Sequence, residues 1–264
     1  MLYNGLPQDN DDEYRSWKHN TGIDIIKKLW TEIPSLRHLA YESEKDKVNN
    51  KRSDFEGENV LHMAIANRNI TALNLFTNEI DSDPVLRKAL VEGQVTGPFS
   101  TVGHHKLDFG HSAVPGCIYG QHPICWAACT FQPKVVELLL SWDADIECRT
   151  DYTETCGGDT ILHMLVRQCS AKTQDSGQQL EDFKEMFDFI LQRWVRHRPP
   201  SATAPAAAPN LPMLWQSENM GGWTPLMLAA AIGTKEVFDH VLRKCTRLVE
   251  WQFGPYRGLS LEIH

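Results

Sequence analysis

Gly221 to Phe238 reads GGWTPLMLAAAIGTKEVF. A Gly, then Thr-Pro-Leu, then a run of small apolar residues is the opening of a short capped helix. The Thr hydroxyl can accept a hydrogen bond from a first-turn amide, and Pro suits the first helical position because the N–H it lacks has no intrahelical partner there. One copy identifies nothing, since Thr-Pro opens many ordinary helices. Recurrence is what gives the phrase meaning.

It recurs in degraded form as GENVLHMAI from Gly57, GQHPICWAA from Gly120, GDTILHMLV from Gly158 and GWTPLMLAA from Gly222. Gly57, Gly120, Gly158 and Gly222 permit the left-handed backbone of a tight turn. Thr160 and Thr224 are candidate caps, and Pro123 and Pro225 suit the first helical turn. Leu61, Ile124, Leu162 and Leu226 are expected in a shared core, and Ala64, Ala127 and Ala229 are small where neighbouring helices approach. A second apolar-periodic stretch follows each, most clearly in PKVVELLLSWDADI (133–146) and TKEVFDHVLRKC (234–245). Helix, turn, helix, loop, repeated, is the ankyrin pattern; the starts lie 63, 38 and 64 residues apart, against about 33 for an undecorated repeat. Insertions therefore stretch the period.

The expected fold class is an all-α ankyrin-repeat solenoid with one enlarged finger loop and a short C-terminal linker strand. Residues 1–56 form an N-terminal cap or partial repeat, because TGIDIIKKLWTEIPSLRHLAYES reads as an outer helix and connector while DDEYRSWKHN is too polar to bury. Repeats occupy 57–119 with the long finger, 120–157, 158–221 with a Pro/Ala-rich insertion, and 222–250; residues 251–264 begin a linker. The stretch from Asn78 to Ile118 reads as one enlarged finger rich in Gly and His, and RPPSATAPAAAPNLP (198–212) as a surface loop.

The 264 residues carry 26 Lys plus Arg against 34 Asp plus Glu, a formal net charge of −8. That balance argues against binding a phosphate backbone. Seven Cys, an odd number, argue against a disulfide framework, and the polar, acidic start MLYNGLPQDNDDEY is no secretory signal. No apolar run reaches the roughly 18–20 residues of a membrane helix. A reducing, cytosolic setting is expected.

Three motifs together resemble the cytosolic N-terminal ankyrin domain of vanilloid-type transient receptor potential (TRPV) cation channels. YGQHPICWAAC (119–129) is similar to the family's aromatic-Gly-Glu-x-Pro-Leu-Ser-x-Ala-Ala-Cys, GGDTILHMLV (157–166) to its Gly-Asn-Thr-Val-Leu-His-x-Leu-Val, and WQFGPYRGLSLEI (251–263) to the Trp-x-Tyr-Gly-Pro with which the family leaves its repeats. The resemblance covers roughly residues 20–264. It implies a domain on the cytoplasmic side of a membrane, serving assembly and allosteric regulation of a calcium-permeable channel through contacts with neighbouring subunits of a homo- or hetero-tetramer. Trp251, Phe253, Gly254 and Pro255 would belong to a linker sheet that meets a neighbour's finger, including Phe99, His104, His105 and Leu107. An alternating strand without a sheet of its own needs a partner edge; the simpler reading is a tail that covers the last repeat.

Departures from the family restrict the inference. Nucleotide-binding members hold ATP with early repeats that are missing or unrecognisable here. Phe55 matches an aromatic of that site, but Glu58 stands where Gln would, and Ala66 and Asn67 replace an acidic-basic pair. A carboxylate facing a triphosphate argues against ATP, and no cofactor is expected.

His104, His105, His111 and Cys117 fit no zinc spacing and read as a solvated loop rather than a metal site. Cys125 and Cys129, one helical turn apart, could ligate a metal or cross-link, yet such residues are usually small core hydrophobes. His62 and His163 are expected to tie turns together, with no nucleophile or carboxylate at catalytic spacing. No enzyme is expected. FILQRWVRHR (189–198) and VLRKCTRLVEWQF (241–253) have the Trp-plus-Arg look of calmodulin targets, and calmodulin is a candidate partner; the plainer reading is outer helices whose apolar faces are already buried. The alternative to a channel domain is a free-standing soluble ankyrin scaffold that binds a protein on its concave face.

Overall fold

A computed structural model of the chain describes residues 27–38, 40, 56–96, 107–109, 112–114, 119–150, 157–170, 176–197, 214–245, 248–253 and 256–260. The helices stand in pairs. α1 (Val60–Ala66) leads to α2 (Ile70–Ser82), α4 (Pro123–Cys129) to α5 (Pro133–Ser141), α6 (Ile161–Ser170) to α7 (Ser176–His197), and α8 (Pro225–Ile232) to α9 (Lys235–Cys245). The first helix of each pair packs on its counterpart in the next, so that α1, α4, α6 and α8 form one continuous inner row.

Local chemistry explains the repetition. The turn glycines Gly57, Gly120, Gly158 and Gly222 have φ between 70° and 87°. Thr224 caps α8 through Met227 N, and Pro123, Pro133 and Pro225 sit at the start of their helices. Eleven residues after the glycine the inner helix ends in the left-handed region, at Arg68, Phe131 and Gly233. The third repeat departs from this, as α6 continues through Cys169 to Ser170.

The core runs unbroken through the stack. Leu61, Ile124 and Leu162 are buried as expected, and so are Ala64, Ala127 and Ala229. Leu226 differs: it is half-buried against the core edge, and Leu228 takes the fully buried place. The outer helix α7 contributes Phe183, Phe187 and Ile190 at 0% exposure, and Phe183 and Phe187 meet at 5.5 Å. Ahead of the first pair, helical residues 27–32 and the 3₁₀ turn Pro34–His38 bury Trp30 on Phe76, ring centroids 4.3 Å apart.

Asn78–Ile118 does not form a single finger. α2 runs on to Ser82, and α3 (Pro84–Val91) follows at once. Asp83-Pro84 is the cause: Asp83 accepts from Val85 N and Leu86 N, and Pro84 takes the first helical position. α3 then buries Leu86, Leu90 and Val91. The finger proper begins after this helix and contains β1 (Leu107–Phe109), paired antiparallel with β2 (Ser112–Val114). At the C-terminal end, β3 (Leu248–Phe253) pairs antiparallel with β4 (Tyr256–Ser260), with Phe253 opposite Tyr256. The expected lone strand thus finds its first edge within its own chain. The 198–212 tract lies outside the described residues.

Two of the turn glycines separate backbone strain from crowding. A Cβ on Gly57 would run into the Gln94 carbonyl and the Thr96 amide, whereas one on Gly222 meets nothing within 4 Å. Gly222→Ala therefore carries only the left-handed penalty, about 1 kcal/mol. Gly57→Ala adds a backbone clash and should cost about 3 kcal/mol. Thermal unfolding of the two variants measures the difference, and equal melting temperatures would contradict the close approach.

Candidate functional site

The chemistry of this chain is concentrated at the joints between helix pairs. At the first joint His62, fully buried, is held between two turns. Its Nδ1 accepts from Asn59 N at 3.2 Å, and its Nε2–H donates to the Gln121 carbonyl at 2.9 Å. The third joint repeats the device: Thr160 N donates to His163 Nδ1 at 3.1 Å, and His163 Nε2–H donates to the Trp223 carbonyl at 2.7 Å. Both rings serve as neutral tautomers. Burial lowers His62 to about 3 against the ordinary 6.5, opposed by the Gln121 bond and helped by nearby His122. His163 is lowered to about 4, again chiefly by burial, with Asp159 acting against it. The two imidazoles are therefore committed to structure and unsuited to general-base work near pH 7.

The joint between the second and third pairs is built differently. Cys125 occupies the position of the histidine, and its Sγ lies 3.6 Å from Cys148 Sγ, both thiols buried. Cys148 belongs to a segment in which Trp142, Ala144, Ile146, Cys148 and Thr150 are buried in alternation. Thr150 joins this segment to the next turn: its N–H donates to the Asp159 carbonyl, and its Oγ1 accepts from Asp159 N, each at 3.0 Å. Cys125 and Cys129 are both buried on α4, as core residues are expected to be, but the sulfur facing Cys125 comes from outside that helix.

Asp159 is the most heavily engaged charge. Its Oδ2 accepts from Arg167 Nε at 2.8 Å with both side chains at 4% exposure or less, and its Oδ1 accepts from Asn219 Nδ2 at 2.8 Å. Indoles donate to carboxylates earlier in the chain: Trp142 Nε1 to Asp81 of α2 at 2.7 Å and Trp194 Nε1 to Glu147, in the segment after α5, at 2.6 Å. Arg193 joins Glu137 at 2.6 Å, and Asp188 receives His240 at 3.0 Å and Lys244 at 2.7 Å.

The finger base is tied to two turns at once. Val95 N donates to Gln121 O at 3.0 Å and Thr96 N to Glu56 O at 2.7 Å. Glu58 is half-buried beside it and pushed up to about 7 by desolvation. The inner-helix face is unevenly open. Every residue of α4 and residues 161–167 of α6 are buried, while Met63 on α1 is 56% exposed and Met227 on α8 is 40% exposed.

The turn residues singled out in the sequence, Gly57, His62, Gly120, Pro123, Gly158, His163, Gly222 and Pro225, lie in these turns and helix starts. Of the contact candidates, Leu107 pairs with Val114 in β1–β2, and Trp251 and Phe253 pair with Gly258 and Tyr256 in β3–β4. Phe99, His104, His105, Gly254 and Pro255 lie outside the described residues, as do His111 and Cys117. Among the described residues, no group of three or more His, Cys, Asp or Glu could hold a metal ion. No described helix is long and apolar enough to cross a membrane.

Sequence reading passed over Asn59, Asp159, Arg167 and the indole donors. Asn59 accepts from Leu61 N and His62 N and donates to Leu90 O. Its signal was available, because Asn-x-x-His at 59–62 and Thr-x-x-His at 160–163 are two versions of a reciprocal cap.

Comparison with known proteins agrees with the helix pairs. Residues 119–151 match the ankyrin repeat family model. The chain is 30% identical over 257 residues to transient receptor potential cation channel subfamily V member 1 of Cavia porcellus, covering 92% of this chain and 26% of that protein. Against the same channel of Oryctolagus cuniculus it is 29% identical over 248 residues, covering 88% and 25%. Against human subfamily V member 2 it is 27% identical over 212 residues, covering 77% and 23%. The chain spans about a quarter of the length of the curated relatives it matches. It is an ankyrin-repeat chain, homologous over most of its length to the N-terminal region of the vanilloid-type transient receptor potential channels.

Proposed function

We propose that this chain is the cytoplasmic ankyrin-repeat domain of a TRPV-like, calcium-permeable cation channel, and that it serves subunit assembly and the allosteric regulation of gating without catalysing a reaction. The observation that carries this reading is the reach of the likeness: it extends over 92% of the chain at 30% identity, far beyond the 33 residues of one generic repeat. In this reading the chain divides into a cap or partial repeat to 56, repeats from 57, 120, 158 and 222, and a linker from 251. Leu107, with Phe99, His104 and His105 of the same finger, reaches a neighbouring subunit, and Trp251, Phe253, Gly254 and Pro255 belong to the surface that receives it.

The partners are other subunits of a tetramer. Calmodulin is a weaker candidate, because the apolar residues it would take from 189–198, Ile190 and Trp194, are already buried in the stack. ATP is disfavoured by Glu58, a half-buried carboxyl that stands where nucleotide-binding members carry Gln. Nucleic acid is disfavoured by the net charge of −8.

The native product that contains this chain tests the reading. Expressed in cells, it is expected to fractionate with membranes, run as a tetramer after detergent extraction and pass a cation current. Deletion of residues 97–118 should reduce tetramer recovery. A product found wholly in the soluble fraction, with no current, would replace the channel reading by that of a soluble scaffold.

A further inference from the structure

We propose that Cys125 and Cys148 form a reversible disulfide that staples the joint between the second and third helix pairs. The position is suggested by what is missing there. The first and third joints carry a histidine tie across the inner row, His62 to Gln121 and His163 to Trp223; at the intervening joint the same repeat position is Cys125. Its sulfur faces Cys148 at 3.6 Å, 23 residues further along the chain. The two thiols come from different kinds of element, α4 and the extended segment after α5. That segment is bonded onward to the third pair through Thr150 and Asp159. A bond at 125–148 therefore ties α4 to the following repeat.

The chemistry is a two-electron oxidation with a peroxide as oxidant. The Cys125 thiolate attacks a peroxide oxygen, the O–O bond breaks, and with one proton the first water leaves a sulfenic acid on Cys125. Cys148 Sγ then attacks that sulfur, the S–O bond breaks, and the Cys148 proton leaves with the hydroxyl as a second water. Each sulfur is oxidised by one electron. The Cys148 thiol is held well above its usual range by its hydrogen bond to Cys125 and by burial, which slows this second step because the thiolate is the nucleophile, and its proton passes to the departing hydroxyl as the S–S bond forms. Burial of both sulfurs makes the reaction slow and keeps bulky thiols out, which favours the internal partner over mixed disulfides.

The experiment uses the reduced full chain and hydrogen peroxide, followed by alkylation, non-reducing digestion and mass-spectrometric mapping. The expected product is a Cys125–Cys148 cross-link, reversed by dithiothreitol, accompanied by a rise of roughly 5–10 °C in melting temperature. Cys148→Ser should abolish both the cross-link and the rise; Cys148→Ala serves the same purpose if the hydroxyl is poorly tolerated. Both cysteines remaining alkylatable after other cysteines have oxidised would overturn the proposal, as would a cross-link joining Cys125 to any other cysteine.

Discussion

Asp159→Ala is expected to lower the unfolding free energy by about 3–5 kcal/mol, the range for removing one partner of a buried ion pair. The carboxylate meets Arg167 at 2.8 Å with both side chains buried, so its loss takes the ion-pair partner from a buried guanidinium. It also releases Asn219, whose amide bonds the other carboxylate oxygen, and with it the 219–223 turn that leads into α8. Paired replacement separates the two costs. Asp159→Asn with Arg167→Met keeps an acceptor for Asn219 and removes both charges of the buried pair, and should recover most of the loss, to within about 1–2 kcal/mol of the parent. Urea unfolding followed by circular dichroism reads both values. A single variant within 1 kcal/mol of the parent would mean that water reaches the pair in solution.

Acidification is expected to produce a loss of similar size with no mutation. His62 and His163 are lowered in the folded chain to about 3 and about 4 from 6.5. Between those values and 6.5 the unfolded chain binds more protons than the folded one, so stability falls as pH falls. The contribution is fully present above 6.5 and disappears progressively below it. At pH 4.5 each histidine accounts for about 2–3 kcal/mol of lost stability, from about 1.4 kcal/mol per pH unit. His240, lowered mainly by burial, acts in the same direction, though its partial exposure makes it weaker. Glu58 acts oppositely: raised to about 7, it binds more protons when folded between 4.5 and 7, and so stabilises the fold on acidification across that window. Unfolding midpoints at pH 7.5 and 4.5 should differ strongly, and His163→Gln should flatten the dependence. A His163→Gln variant with the same pH dependence as the parent would show that this ring is not held neutral.

The parts of the fold that were legible in the sequence are those encoded locally. Gly followed by Thr-Pro-Leu, or by Thr-x-Leu-His, fixes a turn and a capped helix within nine residues, and four copies imply a stack. The limits of the finger were illegible for the same reason. An eight-residue helix at 84–91 has too little periodicity to stand out, and only the Asp-Pro at 83–84 marked its start. The joints needed three dimensions. Asp159 and Arg167 are eight residues apart and readable as neighbours on a helix start, but Asn219 is 60 residues away, and the indole donors reach back 61 and 47 residues. The two cysteines on α4 were visible; that Cys125 turns towards Cys148 depends on how the segment after α5 folds back.

The two rows of cross-links give the stack the mechanics of a ladder with both rails fastened. Imidazole bonds join neighbours along the inner rail at the first and third joints, and indole or ion-pair bonds join them along the outer rail. Bending such an object stretches one rail while compressing the other, so both sets of bonds oppose it. At the middle joint the inner rail holds thiols in place of an imidazole, and compliance should concentrate there. A torque applied at α9 would then be spent largely at the rung between α4 and α6, leaving the finger base, fastened by Val95 and Thr96 to the first two turns, moving as one body with them.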